Sequence, residues 1–161
     1  MCGVAGFLID SQVSSSMNYD AVIKKMTDSI KHRGPDDSGS WNSFSDGIFL
    51  GHRRLSILDL SEAGHQPMES SNGRYVIAFN GEIYNHLQIR SEIEKNNNNI
   101  SWRGHSDTET ILRAFETFGV ENSIKKFIGM FAFSLWDKKN KILTLARDRL
   151  GEKPFYYGWQ N

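Results

Sequence analysis

Two connections in this chain are short enough to read as hairpins, and they limit the fold more than any other feature. Residues 40–44 and 48–58 are strand-like runs across Asp46-Gly47, and residues 130–136 and 142–146 are strand-like runs across Asp137-Lys-Lys-Asn140. A parallel pair needs a crossover of about a dozen residues, so both pairs are expected to be antiparallel. Residues 2–9, 74–79 and the aromatic run 155–159 add further strand-like segments. Helical periodicity lies between them. Val22, Ile23, Met26 and Ile30 recur at helical spacing, residues 86–95 form a second helix that stops at the asparagine tract 96–99, and a short helix is expected over 121–127. Ser106-Asp-Thr-Glu109 has the pattern of a capping box, opening a helix with Ile111, Leu112, Phe115 and Phe118 on its apolar face. The order of elements gives a mixed α/β domain with a largely antiparallel sheet, or two sheets with helices outside.

The 161 residues suit one domain, residues 1–161, and 39% hydrophobic content is enough for a real core. Nineteen basic residues cancel nineteen acidic ones. That balance argues against bulk binding to nucleic acid or anionic lipid. Nothing approaches the roughly 18 apolar residues of a membrane span. The five histidines show no i, i+4 pair and no cysteine cluster accompanies them, so no metal site is expected. Neither a Gly-x-x-x-x-Gly-Lys-Ser/Thr nor a Gly-x-Gly-x-x-Gly nucleotide motif occurs.

One cysteine excludes an internal disulfide but not a nucleophile. A lone cysteine is most often a small buried hydrophobe. This one is Cys2, directly behind the initiator methionine, in an apolar run without a basic lead or a small-residue cleavage site. It is therefore no signal peptide, and a reduced cytoplasmic chain is expected. Methionine removal would leave cysteine at the N-terminus. A free α-amine has a pKa near ~8 and a thiol near ~8.5, so a single residue would supply both base and nucleophile.

Met1-Cys-Gly-Val-Ala-Gly6 resembles the start of the class II glutamine amidotransferases, which are N-terminal-nucleophile (Ntn) hydrolases. His32-Arg-Gly-Pro-Asp36, Gly51-His-Arg-Arg-Leu-Ser-Ile-Leu58, Gln66-Pro67, Asn80-Gly-Glu-Ile-Tyr-Asn-His86, Gly129-Met-Phe-Ala-Phe133 and Arg147-Asp-Arg-Leu-Gly-Glu-Lys-Pro154 resemble the glutaminase domain of glutamine-hydrolysing asparagine synthetases. These blocks keep the family's order across almost the whole chain. The resemblance implies a four-layer αββα sandwich with two mainly antiparallel sheets.

It also implies roles. Cys2 would attack the side-chain amide of L-glutamine, with Asn80 and Gly81 as oxyanion donors. Arg54, rather than its neighbour Arg53, would grip the α-carboxylate in the bidentate manner of guanidinium. Glu82 and Asp107 would hold the α-ammonium, while Leu55 and Ile57 would lie beside the bound glutamine. Asp107 has a competing reading as a helix-start residue. His32 and His52, and the block Arg147-Asp148 with Arg149 and Lys153, are read as structural, the block with room for a domain interface. The Ser-Gly-Gly-x-Asp-Ser pyrophosphate loop of the synthetase half does not occur in the chain. ATP and magnesium are thus expected only with a C-terminal synthetase domain, the natural partner, and no cofactor is expected in this domain. A homodimer stays open. Two alternatives stand beside the glutaminase reading: a catalytically silent glutamine-sensing or interaction domain, and an amidotransferase whose acceptor is not aspartate.

Overall fold

In the computed structural model, residues 1–10, 17–56, 61–96 and 100–160 are described. The first hairpin joins β2 (Asp37–Ser43) to β3 (Ile48–Arg54) through a single 3-10 turn, Phe44–Asp46. Gly47 ends that turn at φ +68°, where a Cβ would also strike the Ile9 carbonyl, so glycine is required there twice over. β1 (Gly3–Leu8) pairs antiparallel with the other side of β3, from Gly3 opposite Arg53 to Leu8 opposite Ile48. Every residue of β3 is buried, as a central strand covered on both faces must be.

The second sheet has the order β4 (Met68–Glu69), β5 (Tyr75–Ile83), β6 (Gly129–Asp137), β7 (Ile142–Arg147), and all its pairs are antiparallel. Asp137 builds the expected β6–β7 turn. Its carboxylate accepts the N–H groups of Lys139 and Asn140 and the Asn140 side-chain amide, and it receives two hydrogen bonds from Arg74.

Helix α1 (Tyr19–Ser29) packs on β1 and β3, with Ile23 and Thr27 buried against the sheet. Gly51 allows this approach, because a Cβ there would overlap the Thr27 methyl group. α2 (His86–Asn96) and α3 (Asp107–Phe118) cover the outer face of the second sheet. Ile89, Ile93, Ile111, Leu112 and Phe115 from these helices meet Phe79, Ile83, Phe131 and Phe133 from the strands. Ile48, Leu50, Val76 and Trp136 fill the space between the sheets. The layers therefore run helix, sheet, sheet, helices, the αββα sandwich implied by the resemblance. α4 (Val120–Lys126) completes the set as a single short helix.

Three expectations need correcting. Residues 155–159 form no strand, and Tyr156, Tyr157 and Trp159 are exposed. An aromatic run has strand propensity, but a strand needs a neighbour, and among the described residues none pairs with it. β3 ends at Arg54, with Leu55 and Ser56 already outside the strand, and residues 57 and 58 of the expected run lie outside the described residues. The capping box is half formed. Ser106 caps α3 by accepting the Thr108 N–H, while the Glu109 carboxylate takes the N–H groups of Arg103 and Gly104, ahead of the cap. No helix among the described residues is long and apolar enough to cross a membrane.

Candidate active site

Strand alternation selects the side chains that enter the inter-sheet layer. Ile48, Leu50, His52 and Arg54 share one face of β3, and Val76, Ala78, Asn80 and Glu82 share one face of β5. Since Ile48, Leu50 and Val76 make the inter-sheet core, Arg54, Asn80 and Glu82 reach the end of that layer. β1 begins where the antiparallel β3 ends, which brings Cys2 to the same place. Asp107, the first residue of α3, closes it from the helical side. One pocket is thereby lined by Cys2, Arg54, Leu55, Asn80, Gly81, Glu82 and Asp107. Seven of the eight residues named from the sequence thus converge, across more than a hundred positions of chain. The eighth, Ile57, lies outside the described residues.

Each is held by identifiable contacts. The Leu55 N–H donates to the Cys2 sulfur at 3.4 Å, and that sulfur lies 3.7 Å from the Leu55 carbonyl oxygen. Arg33 Nε donates to the Cys2 carbonyl at 3.1 Å, which fixes the residue's own backbone. Arg54 donates from Nη1 to the Ser61 carbonyl at 2.9 Å, and Gly64 lies so close against its guanidinium that a Cβ would overlap it. Arg53 points the other way, donating to the Thr27 carbonyl and pairing with Asp28 on α1. Asn80 is 7% exposed, and among the described residues its side-chain amide has no hydrogen-bond partner. An amide left open to a pocket is a donor awaiting a ligand. Gly81 lacks a side chain for a local reason too, because a Cβ would run into the backbone of Met130 and Phe131 on β6.

The charges are divided between the layers. The first sheet supplies Arg54, while the second sheet and α3 supply Glu82 and Asp107. Asp107 is 5% exposed, and its Oδ2 accepts the Ile83 N–H at 2.9 Å. Burial pushes its carboxyl up to about 6, against the pull of the Ile83 and Thr108 N–H groups, and the nearby Glu82 charge pushes the same way as burial. His52 bridges the sheets through Nε2 to the Phe79 carbonyl at 2.9 Å. Its burial lowers it to about 4, so it is a neutral strut at physiological pH.

Sequence reasoning missed several pocket residues. Gln66 accepts the Phe79 N–H through Oε1 and donates through Nε2 to the Thr108 hydroxyl, tying β5 to α3 behind the pocket. Lys153, read as structural, lines the pocket beside Met1. Only the Gln66-Pro67 block hinted at the first. The 147–154 block marked the second, but with a structural reading rather than a place in the pocket.

A thiol, an open amide donor, two cations and two carboxylates in one small pocket match a zwitterionic amino acid that carries a side-chain amide. Comparison with known proteins agrees. The glutamine amidotransferase domain model matches residues 1–161. A protein of Methanocaldococcus jannaschii described as putative asparagine synthetase [glutamine-hydrolyzing] 2 is 40% identical over 99% of this chain and 32% of its own length. Asparagine synthetase [glutamine-hydrolyzing] 1 of Bacillus subtilis is 38% identical over 98% of this chain and 24% of its own length. The chain thus spans about a quarter to a third of the length of these curated relatives. In structure it resembles the B. subtilis glutamine phosphoribosylpyrophosphate amidotransferase, with a TM-score of 0.51 and 21% identity over 63% of this chain and 23% of the other, a likeness of fold. Motifs, layers and pocket lead to one conclusion: the chain belongs to the glutamine amidotransferase domain family, with glutamine-hydrolysing asparagine synthetases among its relatives.

Proposed function

We propose that this chain, with Met1 removed, hydrolyses L-glutamine to glutamate and ammonia through a thioester on Cys2. The observation that carries the reading is the convergence of Cys2, Asn80, Arg54, Glu82 and Asp107 on one pocket. The Cys2 α-amine takes the thiol proton, and the sulfur attacks the side-chain carbonyl carbon of glutamine. As the C–S bond forms, the carbonyl electrons move to oxygen, where the Asn80 amide and the Gly81 N–H receive them. The C–N bond then breaks, and the amine's proton goes to the departing nitrogen, releasing ammonia. Water, deprotonated by the same amine, adds to the thioester. The C–S bond breaks and glutamate leaves. Arg54 grips the α-carboxylate throughout, and Glu82 with Asp107 grips the α-ammonium.

The chemistry needs no metal or redox cofactor in this domain. ATP and magnesium belong with a synthetase domain, which would activate a carboxylate and consume the ammonia. Relatives three to four times the length of this chain favour such an arrangement. Aspartate is the first acceptor to test. A reducing cytoplasmic setting would keep Cys2 as a thiol.

The test is ammonia release from the demethionylated chain, its N-terminus confirmed by intact mass, with L-glutamine, L-asparagine and simple amides compared. Release from L-glutamine alone is expected. Glutamine binding without release would instead identify a sensor, and equal release from simple amides would identify a different amidase.

A further inference from the structure

Lys153 is 4% exposed and lines the pocket, yet the reaction above does not use it. The fold goes to some length to place it there. The Asp148 carboxylate accepts the N–H groups of Leu150, Glu152 and Lys153, and also that of Phe131 on β6. The Asp148 N–H returns a bond to the Phe131 carbonyl at 2.8 Å. Gly151 turns at φ +69°, packed against the Arg147 guanidinium so closely that a Cβ would overlap it. The loop is thereby tied to β6, and it carries the lysine inward.

Its ammonium then finds almost nothing to bind. Among the described residues its one hydrogen-bond partner is the Met1 thioether, at 2.9 Å. A thioether is a weak acceptor, and an ammonium has three donors. Burying a cation so poorly partnered destabilises the fold unless another role offsets the cost. The single partner also leaves with Met1 when the N-terminus is processed. The ammonium would then face the cleft in which the new α-amine of Cys2 appears.

We infer that Lys153 is a positioning residue for the reaction, a fixed positive charge that keeps the α-amine of Cys2 neutral and so able to act as the base. The inference rests on the reading of Cys2 as the nucleophile. A like charge disfavours the protonated form of its neighbour. Arg33, hydrogen-bonded to the Cys2 carbonyl, and Arg54 act in the same direction, while Glu82 and Asp107 oppose them. Lys153 is the cation on the side that Met1 vacates.

Lys153→Met keeps the length of the side chain and removes the charge. In kcat at saturating glutamine, the acid limb should move up by about one pH unit, with KM at the plateau unchanged and Lys153→Arg restoring the parent limb. An unmoved limb, or a rise in KM alone, overturns the inference, the latter by showing a clamp on the substrate. A second measurement does not depend on the variant folding. In processed Cys2→Ala, where no thiol titrates, ¹⁵N NMR of the α-amine should give a midpoint below the ~7.7 of a free α-amino group. A midpoint at or above that value overturns it. If the parent releases no ammonia, the nucleophile reading fails, and the NMR midpoint of processed Cys2→Ala, which should rise when Lys153→Met is added to it, still decides the role of the lysine charge.

Discussion

Asp107 and Asp148 are each 5% exposed, but Asp107 lies much deeper in the protein, and their carboxyls shift in opposite directions. Burial pushes both carboxyls up. At Asp148, N–H groups from Lys153, Glu152, Phe131 and Leu150 outweigh it and hold the carboxyl below its usual range. At Asp107 deep burial outweighs the Ile83 and Thr108 N–H groups, Glu82 adds a like charge, and the carboxyl rises to about 6. One acid is satisfied by its own fold. The other is left short of positive charge in a pocket that would receive an ammonium. Unsatisfied burial therefore separates a site residue from a structural one here, although both look like acids in polar blocks.

Removing the satisfied acid should have the largest effect on stability. Asp148→Ala strands several buried N–H groups, and a loss of about 3 kcal/mol is expected in denaturant unfolding. Because the folded-state value is depressed, this contribution is present above the usual carboxylate range and is lost as pH falls through the still lower folded value. A loss under about 1 kcal/mol would remove the contrast.

Asp107 should behave oppositely. A rise from 3.8 to about 6 means that keeping it ionised at pH 7 costs about 3 kcal/mol. The sign follows from the raised value: parent stability increases as pH falls from about 6 towards 3.8, since the folded state takes up the proton first. Asp107→Asn should thus raise the unfolding free energy at pH 7, by less than that amount, while weakening glutamine binding. Parent affinity should also decline below about pH 6, and the variant should lack that decline. A variant that loses both stability and affinity would make Asp107 another structural acid.

The adjacent arginines sharpen the same distinction on a smaller scale. Arg54→Met should raise KM by about 10- to 100-fold, as expected for a lost charge-assisted hydrogen bond. Arg53→Met, released from Thr27 and Asp28 on α1, should lower stability and leave KM within about twofold. Equal KM effects would show that the two faces of β3 are not separated in function.

What could be read from the residues follows the range of the interactions. The Asp46-Gly47 and Asp137–Asn140 turns were legible because local backbone chemistry dictates them. Asn80 and Glu82 were legible only through the resemblance, because the expected strand stopped at Phe79, whereas β5 runs on to Ile83 and its alternation sets both on one face. Cys2, Arg54 and Asp107 were legible through motif resemblance, since no local rule joins positions so far apart. The 155–159 strand failed because propensity cannot supply a pairing partner. Lys153 escaped because its meaning lies in contact with Met1, 152 residues away. Charged blocks usually face water, as Arg147, Arg149 and Glu152 do here, while Asp148 and Lys153 turn inward.

The central claim is that the only thiol of the chain performs the chemistry, and Cys2→Ala tests it most directly. With Met1 removed from both proteins, the variant should lose glutamine hydrolysis by at least about 10⁴-fold while still binding glutamine within a few-fold of the parent. Ammonia release by Cys2→Ala at the parent rate would contradict the account.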